Sequence, residues 1–426
     1  AFPEEDISQL DPRKRITAFI VEREYSGITV KPLSFCGWHG LPNAAIKLDK
    51  VKVPKENIVG EIGDGLKIAF MNLGSGRINI SAISLGMMKH LGRVARWWGK
   101  ERVQGGKPIG EHELNTEQLV NMNASIYACE SFLQFVAAFA DQPNTDIRLE
   151  AAMLKLFSSH ALVDIADETL QLRGGRGYES YASQKSRGDT AIGVERLFRS
   201  ARMMKIGEGG SNVLKLYIMR CLLNDLLKEY KKITDQEIPI SQRFTNSIKF
   251  AGSYAKSCFQ PNKIPKKNIP KPLSQHLRYV GKMQRRFKCM MIIKITTEYL
   301  NYCRQIAINY FLKDPTQQIL KFETRLEQRQ LLLGECAQIA TLLSVMTVTC
   351  QRAAKDESPE SIELADEFCT RAREKIAIHC INITKHNLKR ADTVNKLGMK
   401  IMNGDYAESL EKNIVCENLP KSGTKG

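Results

Sequence analysis

The residues with the most chemistry in their placing are Lys205-Ile206-Gly207-Glu208-Gly209-Gly210-Ser211. Glu208 stands on a glycine-rich turn, and an amphipathic helix opens directly behind it with Val213, Leu214, Leu216, Tyr217 and Ile218 as its apolar stripe. A carboxylate at a helix N-terminus, facing an apolar core, is placed like a general base. The plainer alternative for the same pattern is a helix-capping glutamate beside a pair of glycines. A second glycine turn lies upstream in Gln171-Leu172-Arg173-Gly174-Gly175-Arg176-Gly177-Tyr178, followed by Val194-Glu195-Arg196-Leu197-Phe198-Arg199.

These turns need rigid elements to hold them. From about residue 65 to 225 the pattern is helical. Residues 65–100 and 115–141 read as two long helices. Leu149, Met153, Leu156 and Phe157 recur at helical spacing in a third, with Thr145 or Asp146 as its N-cap. Long helices joined by short connections predict an antiparallel bundle. Ahead of it, Ile16–Val21 reads as a strand, and Ile46–Val53 as a half-buried strand of alternating polarity ended by Pro54 and Asn57. The set Gly60, Gly63, Gly65 lacks the spacing and context of a dinucleotide fingerprint.

Behind the bundle, residues 226–275 read as a linker, because Pro261, Pro265, Pro270 and Pro272 interrupt any regular element. Helical periodicity returns at 276–313 and 315–354. Ser358-Pro359 predicts an N-cap and first turn for a helix reaching about 385. The expected division is thus 1–62, part of a β domain; 63–228, a helical bundle; 229–275, a basic proline-containing linker; 276–412, a second helical domain; and 413–426, a tail. The fold class is mainly α with a partial β domain.

The chain has 426 residues, 43% hydrophobic and 26% charged, as in a globular protein. No apolar run reaches the eighteen or so residues of a membrane span, and no signal-peptide pattern opens the chain at Ala1. Eleven cysteines are scattered without a CxxC pair, which argues for a reducing compartment and against a zinc site. The net charge is +17, and between Lys256 and Lys294 stand eleven Lys and Arg with no Asp or Glu. Such a patch suits anionic lipid or an acidic partner; no nucleic-acid motif accompanies it, so nucleic acid is not expected.

Taken in order, the Gln-x-x-Gly-Gly-x-Gly turn, the Glu-Arg-x-x-Arg stretch and the Glu-Gly turn resemble the C-terminal half of the acyl-CoA dehydrogenases. The resemblance covers roughly residues 15–225. It includes Ile16–Gly27, Leu48-Asp49-Lys50-Val51-Lys52-Val53-Pro54-Lys55-Glu56-Asn57, Arg77 in Gly74-Ser75-Gly76-Arg77, and Lys100–Ile109 with its Glu101-Arg102 pair. The C-terminal extension with His276-Leu277-Arg278-Tyr279-Val280 is similar to the very-long-chain branch, which carries an additional C-terminal helical domain.

The resemblance implies FAD and α,β-dehydrogenation of a fatty acyl-CoA. Glu208 matches the base that takes the Cα proton while a hydride leaves Cβ for the flavin. The backbone N–H of that glutamate helps hold the thioester oxygen. Arg102 matches the arginine that reaches the FAD of a neighbouring subunit, where a guanidinium suits phosphate. Gln171, Gly174 and Gly175 match the turn that contacts the cofactor across the dimer. Arg77 and Gly209 match the substrate side of the site. The implied partners are electron-transferring flavoprotein and a second copy of the chain, and the implied setting is the mitochondrial matrix and fatty acid β-oxidation. The linker of that branch is associated with the inner mitochondrial membrane, which places Lys263, Lys266, Lys267 and Lys271 in a lipid or partner patch.

The chain also departs from the pattern. Gly207 stands for the usual aromatic, Gly210 for Thr or Ser, Ser200 for Asp, and Gly105 for Phe or Trp. Trp97 and Trp98 have the bulk to refill part of the space an absent aromatic leaves, the plainer reading being buried helix packing. The family's N-terminal helical domain and first half of the β domain are expected to have no counterpart in this sequence, which leaves three readings open: a cleaved chain, a missing half supplied as a separate polypeptide, or a protein that no longer needs it. Residues 1–60 are then part of a sheet whose edge wants a partner strand. Two functions follow. One is an FAD-dependent acyl-CoA dehydrogenase. The other is a catalytically degenerate structural or assembly subunit of a respiratory complex, a role with precedent in this branch.

Overall fold

The structure is a computed structural model that describes residues 16–234, 269–310, 329–385 and 388–406, with a few isolated positions between them. Lys263, Lys266 and Lys267, the segment 311–328 and the tail 413–426 lie outside the described residues.

The β part is thinner than its sequence pattern suggests. The expected strand 16–21 shrinks to β1 (Ala18–Phe19), which pairs antiparallel with β4 (Ile58–Val59). Between them, β2 (Ile28–Leu33) and β3 (Asn43–Leu48) form a second antiparallel pair. Strand β3 therefore ends five residues before the expected Val53. Asp49 N–H turns to the carbonyl of Gly27 at 2.9 Å and Lys50 takes a φ of 51°. Gly27 itself has a φ of 91°, and a Cβ there would stand 2.2 Å from the Asp49 oxygen, so only glycine closes this crossing. The anticipated buried face is missing: Ile46 is 65% and Leu48 58% exposed. Alternating polarity buries a face only where a second layer covers it.

Helix α1 (Gly65–Glu101) is a single 37-residue rod. After a hairpin, β5 (Val103–Gln104) with β6 (Lys107–Pro108), α2 (Glu113–Ala140) returns beside it. Gly105 and Gly106, with φ of 60° and 82°, make the tight turn of that hairpin. Small residues let the helices approach: a Cβ on Gly92 would stand 2.9 Å from Ile126, and one on Gly99 3.4 Å from Gly110.

Helix α3 (Arg148–Arg173) runs in the same direction as α1. The Ser158 hydroxyl donates to Ser81 Oγ at 3.0 Å, and Arg173 sits over Trp98 at 5.0 Å; both pairs preserve nearly the same sequence offset. Asp146, one of the two expected caps, does accept the Arg148 N–H at 3.1 Å, although Ile147 occupies the capping position. Short helices α4 (Gly175–Tyr178), α5 (Tyr181–Ser186) and α6 (Val194–Met204) lead into α7 (Ser211–Thr234). One core lies between α1, α2, α3 and α6, built on Met88, Leu91, Leu162, Val194 and Met204.

Helix α8 (Lys271–Tyr310) packs on α9 (Gln330–Asp356) and α10 (Pro359–Lys385), which bury the other faces of α2, α3 and α7, while α11 (Leu388–Met402) follows them in the chain. Phe157 of α3 meets Phe368 of α10 edge-on at 5.7 Å, and Tyr127 donates to Asp356 at 3.1 Å. These helices share a continuous apolar core with the bundle. The expected linker is shorter at both ends. Helix α7 continues to Thr234, and α8 starts at Lys271 with Pro272 in its first turn, where a missing N–H costs nothing. Of the helix expected over 315–354, the described part runs from Gln330 to Asp356, and residues 315–328 lie outside the described residues. Ser358 caps α10 by accepting the Ser361 N–H at 3.1 Å, as its sequence predicts. Helix α9 is long and apolar enough to cross a membrane, which the sequence reading did not anticipate, yet most of that stretch is buried within the core.

Candidate active site

The loop between α6 and α7 carries Glu208. Helix α6 closes when the Ile206 and Gly207 N–H groups both donate to the Met203 carbonyl at 2.9 Å. Glu208 then takes a φ of 54° and Gly209 one of 103°, two successive left-handed residues. Such a conformation costs a non-glycine residue about 1–2 kcal/mol and needs support from its surroundings. Ser211 restarts the chain as α7. Leu214 and Ile218 of the expected apolar stripe are buried, whereas Val213 is exposed.

The support comes from α1, α3 and α7. On α1, Gly76 leaves room for the carboxylate: a Cβ there would stand 2.7 Å from Glu208 Cδ and 2.8 Å from each carboxylate oxygen. One residue on, Arg77 is 6% exposed and its Nε reaches the Glu208 carbonyl at 3.4 Å. The same guanidinium lies 4.8 Å over the ring of Tyr217 on α7. On α3, Lys155 is 0% exposed and donates to the Gly209 carbonyl at 2.6 Å. Burial, and then the nearby Arg77 charge, draws its amine down to about 8, against the opposing pull of Glu208. Further along α3, His160 Nε2 lies 2.9 Å from the Ser211 hydroxyl. Burial and the neighbouring Lys205 and Lys215 push that imidazole down to about 4. No hydrogen bond within the described residues uses the Glu208 N–H.

Chemically, the loop presents a carboxylate on a fixed turn, with a backbone donor beside it and two cations behind it. Glu208, Gly209 and Arg77 are brought together. Arg102, Gln171, Gly174 and Gly175 are not. Arg102 caps the far end of α1, where its N–H reaches Trp98 at 3.0 Å and its carbonyl accepts from Ile109 at 2.7 Å. Gln171, Gly174 and Gly175 are exposed at the far end of α3. From residue 77 to residue 98 the rise of an α-helix separates the two ends by about 30 Å. No single copy gathers both groups around one point.

Trp97 and Trp98 belong to that far end too, so they do not refill space beside Gly207. They flank Arg173, whose guanidinium lies 5.8 and 5.0 Å from their rings. Arg173 is buried with Nε and Nη1 lacking a hydrogen-bond partner, and burial lowers its pKa. Ser200 takes part in another contact, its carbonyl accepting the indole N–H of Trp38 at 3.0 Å and tying the β part to α6. Gly207 faces Ile80, whose Cδ1 lies 3.3 Å from where a Cβ would stand. Lys271 is exposed at the start of α8.

The sequence assigns no site role to Gly76, Lys155 or His160, and places Tyr217 only in the apolar stripe of α7. Lys155 had a visible signal. It falls on the inward stripe of α3 with Ala151, Ser158 and Leu162, where a lysine is out of pattern. Gly76 had none, since its role appears only when two distant segments meet.

A family model described as acyl-CoA dehydrogenase, C-terminal domain, matches residues 63–223. A protein of Mycobacterium tuberculosis named probable acyl-CoA dehydrogenase FadE10 is 33% identical over 372 residues, covering 84% of this chain and 54% of that protein. The human very long-chain specific acyl-CoA dehydrogenase, mitochondrial, is 35% identical over 207 residues, covering 48% of this chain and 30% of that protein. The chain thus spans about half the length of the longest of these matches or less. A solved structure, an acyl-CoA dehydrogenase complexed with FAD from Bacillus anthracis, superposes with a TM-score of 0.63 over 89% of this chain and 61% of that one, at 21% identity, a likeness of fold. The three ordered motifs, the bundle they sit on and these matches lead to one conclusion: the chain belongs to the acyl-CoA dehydrogenase family.

Proposed function

We propose that this chain is the catalytic C-terminal part of an FAD-dependent acyl-CoA dehydrogenase, with Glu208 as the base. The observation that carries the reading is the seating of the Glu208 carboxylate against Gly76, on a left-handed turn held at both its carbonyls. A base needs a fixed carboxylate within reach of its proton, and a turn on rigid helices supplies that. Glu208 takes the proton from Cα of a fatty acyl-CoA, and its N–H is available to the thioester oxygen as charge develops there. FAD, when bound, supplies the acceptor for the hydride that leaves Cβ, so the products are the trans-2-enoyl-CoA and the reduced cofactor.

The far end of the bundle fits the other part of such a cofactor. Nothing lies within 4 Å of a Cβ placed on Gly174 or Gly175, and Gly174 has a φ of 59°, so a ligand can approach the backbone closely. Arg102, exposed at the same end of the bundle, would hold a diphosphate bidentately. Because this end lies about 30 Å from Glu208 along the helices, Arg102, Gln171, Gly174 and Gly175 serve the cofactor of a second copy in a homodimer. The exposed Val30, Leu33, Ile46 and Leu48 of the β2–β3 pair are in turn covered by further β structure, from a preceding segment or a separate polypeptide.

Electron-transferring flavoprotein completes the reading as the acceptor for the reduced cofactor. A mitochondrial matrix setting takes support from the name of the human relative, while the longer match is bacterial. Native protein is expected to be yellow with bound FAD, and an acyl-CoA should bleach it anaerobically. Glu208→Gln should keep the FAD and lose the bleaching. A colourless preparation carrying a stoichiometric partner would favour the assembly role instead.

A further inference from the structure

We propose that Lys155 is the positioning residue of this site: its buried ammonium, by holding the Gly209 carbonyl, locks the left-handed turn that presents Glu208. The proposal rests on the reading of Glu208 as the base. Lys155 does not reach the reacting atoms, and it acts through the turn.

Four observations lead to it. A lysine with 0% exposure is costly unless its ammonium is compensated, and an apolar residue would fill the same place on the inward stripe of α3 without that cost. The compensation it finds is the Gly209 carbonyl at 2.6 Å and the charge of Glu208. It also stands close enough to Arg77 to feel its like charge, so packing stability alone does not account for it. Finally, Glu208 and Gly209 are consecutive residues at φ of 54° and 103°, and their two carbonyls are each taken by a cation, Arg77 from α1 and Lys155 from α3. Of these two bonds the Arg77 contact is long at 3.4 Å and the Lys155 contact short. The same helix holds the far side of the loop through His160 and Ser211 at 2.9 Å.

Removing the donor while keeping the length of the stem should loosen the turn and leave the bundle in place. The test compares wild type with Lys155→Met by amide hydrogen exchange over 205–214, with the core helix 332–350 as the internal control. The Ile206 and Gly207 amides, which donate to Met203, and the Leu214 amide, which donates to Gly210, close the two ends of this turn, so loss of its lock should speed their exchange about tenfold or more, with the control unchanged. In native FAD-bound protein, Lys155→Met should slow anaerobic bleaching at saturating acyl-CoA about tenfold or more while leaving the acyl-CoA Kd within about twofold. If Lys155→Met does not fold, Lys155→Gln, which keeps a donor, takes its place and should give intermediate exchange.

Unchanged exchange in 205–214 overturns the proposal, whatever the activity. A parallel loss of acyl-CoA affinity and rate also overturns it, because that marks a substrate contact. Wild-type protein that never bleaches with acyl-CoA sinks the dehydrogenase reading, and the exchange experiment still decides whether Lys155 locks the turn.

Discussion

The Glu208 carboxylate and the backbone of Gly76 are in contact so close that no side chain fits between them: a Cβ on Gly76 would stand 2.8 Å from both carboxylate oxygens. Gly76 thereby determines where the carboxylate can lie. The Gly76→Ala variant is expected to push it aside without disturbing α1, since alanine favours a helix. Misplacing a reacting group by about 1 Å costs about a hundredfold in rate. Stopped-flow bleaching should show a loss of that order with FAD retained, and wild-type rates would refute the contact's importance.

Glu208 holds a left-handed conformation that costs about 1–2 kcal/mol for a residue with a Cβ. A site that stores strain for function gains stability when the strained residue is replaced. Glu208→Gly should therefore raise the thermal midpoint slightly while removing bleaching. A fall in the midpoint would show that the turn is not strained.

Two bases in the loop's support are depressed by burial, and both give stability that grows with pH. His160 falls from 6.5 to about 4 and Lys155 from 10.5 to about 8. Between the folded and unfolded values the unfolded chain binds the extra proton, so unfolding is favoured as pH falls through each window. His160 should contribute a rising slope between about pH 4 and 6.5, and Lys155 between about 8 and 10.5. Urea midpoints across pH should show the lower slope flattened in His160→Asn and the upper slope flattened in Lys155→Met. Slopes identical to wild type would mean those groups are not buried as described.

Phe157 and Phe368 join α3 to α10 across one continuous core. Truncating a buried phenylalanine costs about 3–5 kcal/mol. Phe368→Ala should lower the unfolding midpoint of α3 as much as that of α10, as read by residue-level hydrogen exchange. Destabilisation confined to 329–385 would show that the C-terminal helices unfold independently.

Lys271 and the lysines 263, 266 and 267 offer an electrostatic test. A basic residue near an anionic bilayer adds about 1 kcal/mol at low salt. Native protein should float with vesicles containing anionic lipid, release in high salt, and lose flotation when the four are changed to Glu. Equal flotation with neutral vesicles would remove the charge explanation.

Much of the scaffold was legible because it is local. The 37-residue α1, the return helix α2 and the Ser358 cap of α10 follow from periodicity and capping chemistry carried by neighbouring residues. The turn around Glu208 was legible for the same reason, since glycines announce left-handed backbone. Strand β3 was less so: its alternation at Ile46 and Leu48 marks a face, while exposure depends on whether another layer covers it.

Only the tertiary structure decided what surrounds the carboxylate. Gly76, Lys155 and Tyr217 stand 132, 53 and 9 residues from Glu208 in the chain, and they reach the carboxylate, the Gly209 carbonyl and the Arg77 guanidinium respectively because α1 and α3 run parallel with α7 beside them. The same parallel arrangement set Arg102 and Gln171 at the opposite end from Glu208. The residues of the sequence name the groups able to hold a proton or a phosphate. Packing sets the distances between them, because those distances depend on which helix faces meet and not on any neighbour along the chain.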